Sequence, residues 1–250
     1  MGKGIKRILE IVSEAIFPSN IYCICCGSLI DSSRSYSLCD NCIGKFHWIT
    51  GATCDKCGKA LPEEFHGNTC YDCMQREHHF DRGYSCLTYG FYERQVMMDF
   101  KYNNKGYLGE KLGDILYDRI SLENLEIDVI IAVPVSRERL KKRGYNKSEL
   151  MARRLGTRMN VPVDSKSLVR KMNTRLLRTM NPAEREIALK GAFGISPKAN
   201  VERKRILLID DIYTTGATAD ACSKVLKEAG ALEVLVLSLA SGGNRKPEEN

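Results

Sequence analysis

Eight of the eleven cysteines occur as four Cys-x-x-Cys pairs, regularly spaced in the first third of the chain. Two such pairs can place four thiolates at the corners of a tetrahedron, the closed arrangement that zinc takes in structural sites. We predict two structural zinc ions, one held by the first two pairs and one by the last two. An interleaved pairing, a single partly occupied site and an iron–sulfur cluster are the alternatives that the spacing leaves open. The predicted ligands are Cys23, Cys26, Cys39, Cys42, Cys54, Cys57, Cys70 and Cys73.

The rest of the composition favours a folded protein of the cytoplasm. Residues 1–20 have apolar side chains at helical spacing with several charges among them, so they predict an amphipathic helix and not an export signal. No apolar run has the length of a membrane span. The formal net charge of +7 falls to about +3 with two four-thiolate zinc sites, so it gives little evidence for nucleic acid.

The character of the sequence changes near residue 80. Residues 21–80 are turn-rich and lack an apolar run long enough for a conventional core, whereas residues 81–241 alternate between strand and helix patterns. This alternation predicts an α/β domain with a mostly parallel sheet of about five strands and helices on both faces. Residues 242–250 form a polar tail.

One segment of the α/β region has the pattern of a phosphate and ribose site. Residues 204–210 form an apolar strand that ends in Asp210, Asp211 follows it directly, and a helix is predicted from residue 217. Backbone N–H groups and hydroxyls at the start of that helix can hold a phosphate, and the two carboxylates can accept hydrogen bonds from ribose hydroxyls. Neither the nucleotide P-loop nor the dinucleotide glycine motif is present. An acidic turn that only caps a helix is the alternative. The phosphate-binding residues are predicted to be Thr214, Thr215, Gly216, Ala217 and Thr218.

This segment resembles the phosphoribosyl pyrophosphate (PRPP) signature of type I phosphoribosyltransferases. Together with the cysteine pairs it is similar to the ComF (ComFC, GntX-like) family, which joins a double zinc ribbon to such a domain. Further similar pieces are residues 100–102, 132–135, 139–150, 183–185 and 191–193. Residues 177–181 depart from the family pattern, within the expected mobile loop of residues 170–185.

The resemblance implies a set of site residues. Asp210 and Asp211 would be catalytic residues as well as PRPP ligands, and Val135, Ser136 and Arg137 would begin the loop that binds the pyrophosphate with its Mg²⁺. Five basic residues between positions 137 and 143 suit a pyrophosphate, although a solvated basic turn would have the same composition.

Aromatic and basic residues alternate in residues 100–107 and 141–145, as in proteins that bind single-stranded nucleic acid. Lys101, Lys141, Lys142 and Arg143 are the candidate contacts, and ordinary packing of Phe100 and Tyr102 is the alternative. The resemblance to the ComF family implies natural transformation, with single-stranded DNA and a helicase-type competence partner. Two hypotheses therefore stay open: a PRPP-binding adaptor in DNA uptake, or an active phosphoribosyltransferase with an unidentified acceptor.

Overall fold

The computed structural model describes residues 20–102, 105–172 and 182–244. The chain forms two compact units, residues 1–46 and residues 47–250. The third and fourth cysteine pairs therefore belong to the same unit as the sheet. The predicted boundaries at residues 20, 80 and 241 stay predictions, and residues 1–19 of the predicted helix lie outside the described residues.

The first unit contains one cluster of four cysteines, which we call the first knuckle: Cys23, Cys26, Cys39 and Cys42. The N–H of Gly27 donates to the carbonyl of Cys23 at 2.9 Å, and Gly27 takes a φ of 75°, which a residue with a side chain rarely adopts. The N–H of Cys39 points at Sγ of Cys23 across 3.4 Å. Cys39 is the N-cap of the one-turn helix α1, Asp40–Ile43.

The second unit contains a second knuckle with the same backbone form: Cys54, Cys57, Cys70 and Cys73. The N–H of Gly58 donates to the carbonyl of Cys54 at 2.9 Å, and Gly58 has a φ of 71°. The N–H of Cys70 lies 3.2 Å from Sγ of Cys54. Cys70 begins the helix α2, Tyr71–Met74. The internal repeat seen in the cysteine spacing is thus also a repeat of the backbone.

A five-stranded parallel sheet forms the centre of the second unit, with the strand order β1-β7-β6-β2-β3. Two further short strands, β4 and β5, form an antiparallel pair. Most residues of β2, β6 and β7 are buried, as expected for parallel strands that are covered on both faces. The strands are β1 Arg82–Thr88, β2 Val129–Ala132, β3 Val163–Asp164, β4 Leu168–Arg170, β5 Phe193–Ile195, β6 Arg205–Tyr213 and β7 Glu233–Ser241.

Six more helices are described in this unit: α3 Phe91–Tyr102, α4 Leu108–Ile120, α5 Arg137–Arg143, α6 Lys147–Met159, α7 Pro182–Leu189 and α8 Ala217–Glu228. On one face of the sheet, Ile206 and Leu208 pack in a cluster with Leu226 of α8. Side chains alternate along a strand, so Ile130 faces the other side. Gly156 of α6 lies close to that residue, since a Cβ added at Gly156 would be 3.8 Å from Cδ1 of Ile130. The predicted parallel sheet with helices on both faces is confirmed.

The second cysteine cluster is part of the core beside α8. Cys54, Cys57 and Cys70 are buried in the same hydrophobic cluster as Ile206 and Leu208. The ammonium of Lys59, which belongs to the knuckle and is itself buried, lies 5.7 Å from the centre of the Tyr213 ring. A zinc ion held here would therefore stabilise the sheet unit as well as the knuckle.

The predicted elements differ from the observed ones mainly at their ends. Strand β6 continues to Tyr213, three residues beyond the predicted end, because Ile212 and Tyr213 still pair with β7. Strand β1 ends at Thr88, and helix α3 begins at Phe91. The edge strand β3 was not predicted, since two residues are too few to show a period.

None of the helices in the described part of the chain is long and apolar enough to cross a membrane.

Candidate functional site

A cavity of about 560 Å³ lies at the carboxyl ends of β2 and β6 in the second unit. Residues 133–135, which follow β2, form part of its wall, and residues 210–219 form another part. Ligands of open parallel sheets bind at this end of the strands, because the loops and helix N-termini converge there.

Asp210 and Asp211 both line the cavity from the end of β6. The N–H of Asp211 donates to Oδ1 of Asp210 at 2.8 Å, and the N–H of Ile212 donates to Oδ1 of Asp211 at 3.0 Å. The ammonium of Lys147, at the first position of α6, forms an ion pair with Oδ2 of Asp211. The two neighbouring carboxylates therefore have different environments.

This difference separates the two pKa values. Burial and the charge of Asp211 together raise the pKa of Asp210 well above its ordinary value. Burial also acts to raise the pKa of Asp211, but the charge and hydrogen bond of Lys147 outweigh it, so the pKa of Asp211 is lowered. Asp211 thus carries the negative charge of the pair, and Asp210 holds a proton more readily.

A tight turn, which we call the phosphate turn (residues 214–216), joins β6 to α8. Gly216 is the N-cap of α8 with a φ of 78°, and it provides no side chain to satisfy the first N–H groups of the helix. Those N–H groups and the positive end of the helix dipole are suited to an anion. Arg185 of α7 donates to the hydroxyl of Thr214 at 3.2 Å, which adds a cation beside the turn.

The described wall of the cavity is strongly basic. Seven lysine and arginine residues line it, against two carboxylates, one of which has a raised pKa. Such a balance attracts a ligand with several negative charges. The basic lining residues are Arg94, Lys101, Arg139, Arg143, Lys147, Arg170 and Arg185.

The predicted ligand residues of the phosphate turn and the start of α8 all line the cavity: Thr214, Thr215, Gly216, Ala217 and Thr218. Only part of the segment predicted to bind pyrophosphate lines the cavity. Val135 lines the cavity, but the hydroxyl of Ser136 accepts from the N–H of Arg139 as the N-cap of α5, and Arg137 is exposed outside the lining. The predicted loop is therefore a helix of seven residues that presents Arg139 and Arg143 to the cavity.

The candidate nucleic-acid residues also separate into two groups. Lys101 and Arg143 line the cavity, whereas Lys141 and Lys142 are exposed and lie outside the lining. Phe100 is completely buried and stacks against Tyr145 with a centroid distance of 5.8 Å. Phe100 is therefore a packing residue, and it offers no face to a base.

Sequence reasoning missed Lys147 and its ion pair. A signal was present, because a lysine in the first turn of a helix opposes the helix dipole and invites a search for an anionic partner. Residues 177–181, where the chain departs from the family pattern, lie outside the described residues.

The cysteines form two clusters, as predicted from the sequential pairing. Within each cluster the four sulfur atoms lie within 4.8 Å of one another. The Sγ atoms of Cys26 and Cys39 are 3.8 Å apart, and those of Cys57 and Cys70 are 3.6 Å apart. A tetrahedron with Zn–S bonds of about 2.3 Å has edges of roughly 3.8 Å, so both clusters fit a zinc ion. Cys25, Cys86 and Cys222 belong to neither cluster and are buried.

Together, these features define a protein with two zinc-ribbon-type cysteine clusters and a parallel α/β sheet that has an acidic strand before a turn suited to anions. Residues 12–74 match the double zinc ribbon domain family. The chain is 28% identical to competence protein F of Haemophilus influenzae over 88% of its own length and 97% of the relative. It is 26% identical to competence protein ComFC of Streptococcus pneumoniae, over 87% of its length and 98% of the relative. The chain is thus similar to the ComF-type competence proteins over most of its length.

One further relative and two solved structures are similar to parts of this chain. The DNA utilization protein YhgH of Escherichia coli is 25% identical over 74% of this chain and 82% of the relative. Among solved structures, a glutamine PRPP amidotransferase from B. subtilis matches 54% of this chain and 26% of its own, with 23% identity and a TM-score of 0.37. A purine phosphoribosyltransferase from Pyrococcus horikoshii matches 53% of this chain and 73% of its own, with 20% identity and a TM-score of 0.33. Structural matches of this extent support no conclusion about function.

Proposed function

We propose that this chain binds PRPP with Mg²⁺ and acts, like a ComF-type protein, in DNA uptake, where it contacts single-stranded DNA and a helicase-type partner. The observation that supports PRPP best is the pairing of Asp210 and Asp211 with the phosphate turn at one end of β6, inside a cavity with seven basic side chains.

The parts of PRPP have matching parts in the cavity. The 5-phosphate suits the phosphate turn and the N-terminus of α8, where N–H groups and the hydroxyls of Thr214 and Thr218 are gathered. The ribose hydroxyls suit the carboxylates of Asp210 and Asp211. The pyrophosphate with its Mg²⁺ suits Arg139 and Arg143 of α5. Within the predicted loop, the side chains that could contact the pyrophosphate are thus those of Arg139 and Arg143, and not that of Arg137.

The DNA part of the proposal is supported by the relatives, which are named as competence and DNA utilization proteins. The exposed Lys141 and Lys142 are suited to phosphate contacts that are not specific for sequence. A cytoplasmic location belongs to the same proposal. It is supported by the cysteines, since none of the eleven, all within the described part of the chain, forms a disulfide.

Thermal unfolding tests the PRPP proposal. We expect Mg²⁺-PRPP at a hundred times its Kd to stabilise the chain by about 2.7 kcal/mol, which raises the melting temperature by several degrees. The variant D210N keeps the Lys147–Asp211 ion pair and should lose most of the shift, and D210N/D211N should lose all of it. D118N, at an exposed position on α4, is the matched control and should shift like the unmodified chain. If the unmodified chain shows no shift, the proposal is wrong.

The second candidate is an active phosphoribosyltransferase. It is favoured by the apolar Met97 and Met98, which line the same cavity as the aspartates and are suited to a planar acceptor. In that case Asp210 and Asp211 would also stabilise the positive charge that develops on the ribose as pyrophosphate departs. Release of pyrophosphate, measured with bases, amines and nucleic acid as acceptors, separates an enzyme from an adaptor.

A further inference from the structure

His78 links the second cysteine cluster to the phosphate turn. It follows Cys73 by five residues, and its side chain is only 2% exposed. The ring stacks on Phe80 with a centroid distance of 4.7 Å and an interplanar angle of 21°. A buried histidine that is fixed on one ring face by packing must satisfy its two nitrogens at its edges.

One of those nitrogens contacts Asp220 of α8. Nδ1 of His78 lies 3.5 Å from Oδ1 of Asp220. The same carboxylate accepts from the backbone N–H of His79 at 2.6 Å and lies 3.1 Å from the His79 ring. Burial alone would raise the pKa of Asp220, but the hydrogen bonds from His78 and His79 outweigh it and lower that pKa. The carboxylate therefore stays charged and fixes the orientation of the His78 ring.

The other edge of the ring faces the phosphate turn. A Cβ added at Gly216 would lie 3.1 Å from Cε1 of His78, the ring carbon between the two nitrogens. Nε2 of His78 is buried and, within the described residues, has no hydrogen-bond partner. The hydroxyl of Thr215, next to Gly216, is also buried and also lacks a partner. The hydroxyl of Tyr213 lies nearer still to the Cβ position of Gly216. His78 and Thr215 thus each hold a buried polar atom without a partner among the described residues, and such atoms cost about 1–3 kcal/mol each when they stay unpaired.

We propose that His78 is a positioning residue for the phosphate turn. Asp220 holds the ring through Nδ1, and Nε2 pairs with the hydroxyl of Thr215 when an anion draws the N–H groups of residues 215–218 into their binding arrangement. The inference rests on the phosphate site proposed above and adds a residue from outside that site. It also gives the second zinc knuckle a role in ligand binding, because the knuckle fixes the start of the short segment that carries His78.

Isothermal titration with Mg²⁺-PRPP and with ribose 5-phosphate tests this proposal on three single variants. In H78N the side-chain amide replaces Nδ1 and nothing replaces Nε2, so affinity should fall about tenfold for both probes. In H78Q the amide replaces Nε2, and binding should return to within about threefold of the unmodified chain. H79N, which alters the exposed neighbour on the same carboxylate, is the matched control and should bind normally.

A double-mutant cycle separates positioning from a loss of packing. T215V removes the hydroxyl and keeps the shape, so it should weaken ribose 5-phosphate about as much as H78N, and the combined variant should show no further loss. Additive losses, or an H78N variant that binds like the unmodified chain, would overturn the role of His78. Failure of the unmodified chain to bind either probe would instead overturn the proposed function, and this inference with it.

Discussion

Lys147 and Asp211 form an ion pair between the first turn of α6 and the end of β6, although they are 64 residues apart in the sequence. Lys147 is almost fully buried and Asp211 is about one quarter exposed. The pair connects the helix that covers one face of the sheet to the acidic end of the central strand. It also fixes which of the two neighbouring aspartates is charged before a ligand arrives.

Replacing Lys147 with methionine should destabilise the chain. K147M leaves the charge of Asp211 in a half-buried place without its cation, and breaking a buried pair costs about 3 kcal/mol. Urea unfolding should therefore show a lower midpoint with an unchanged slope. K198M, which removes an exposed lysine after β5, is the control and should unfold within about 0.5 kcal/mol of the unmodified chain. Equal midpoints for the two variants would contradict the importance of the pair.

Replacing Asp210 with asparagine should stabilise the chain in a pH-dependent way. The pKa of Asp210 is raised in the folded chain, so the folded state binds a proton more tightly than the unfolded state does. Its contribution to stability is then greatest below the unfolded pKa, about 4, and is lost as the pH rises through the folded pKa. Asparagine does not ionise, so D210N does not lose stability at this position as the pH rises.

Melting temperatures between pH 4 and pH 8 check this expectation. The advantage of D210N should be absent near pH 4 and should grow steadily as the pH rises towards neutrality. Both proteins lose zinc alike in acid, so the difference between them is the informative quantity. An offset that does not change with pH would refute the raised pKa.

The two zinc centres should differ in how easily they lose the metal. Cys26 of the first cluster is exposed, whereas Cys54, Cys57 and Cys70 of the second are at most 1% exposed. A chelator with a colorimetric zinc readout should therefore show two phases of release. C26S should abolish the fast phase, and C57S the slow one. C57S should also lower the stability of the sheet unit by about 3 kcal/mol or more, because Cys57 belongs to its core. A single phase would contradict the difference in burial.

The basic residues of α5 should separate DNA binding from ligand binding. K141Q/K142Q removes two exposed charges, so the salt dependence of single-stranded DNA binding should become shallower by about 1.4 in log–log slope. Its affinity for Mg²⁺-PRPP should not change, because neither lysine lines the cavity.

Fluorescence anisotropy of a labelled strand between 50 and 200 mM salt, a range over which phosphate contacts weaken by orders of magnitude, measures this effect. R143Q should weaken both ligands, since Arg143 lines the cavity. K166Q/K198Q, two exposed lysines elsewhere, is the control pair. An unchanged salt slope in K141Q/K142Q would remove this surface of α5 from the DNA proposal.

Much of the fold could be predicted because its determinants are local. The spacing of Cys54, Cys57, Cys70 and Cys73 specifies a knuckle through bonds within 20 residues. The run from Arg205 to Thr218 likewise contains a complete strand, turn and helix start. The spacing of zinc ligands and the periodicity of strands and helices involve residues close together in the chain, so both can be recognised in the sequence.

The missed features depend on contacts between distant residues. The sequence around Asp211 does not indicate that Lys147 is its partner, and the sequence around His78 does not indicate Asp220. The second knuckle likewise packs against strands far along the chain. The basic residues 137–143 were predicted as a loop by resemblance, but Ser136 caps them as a helix, which changes the set of cations that face the cavity.

The place of the second knuckle in the sheet unit has a consequence for synthesis on the ribosome. Lys59 leaves the ribosome about 150 residues before Tyr213, the ring on which it rests, so at 5–20 residues per second the knuckle waits roughly 8–30 s for its packing partner. During that interval its four thiolates depend on metal alone for protection from oxidation and mispairing. We therefore expect zinc supplied during synthesis to favour packing of the sheet on the knuckle.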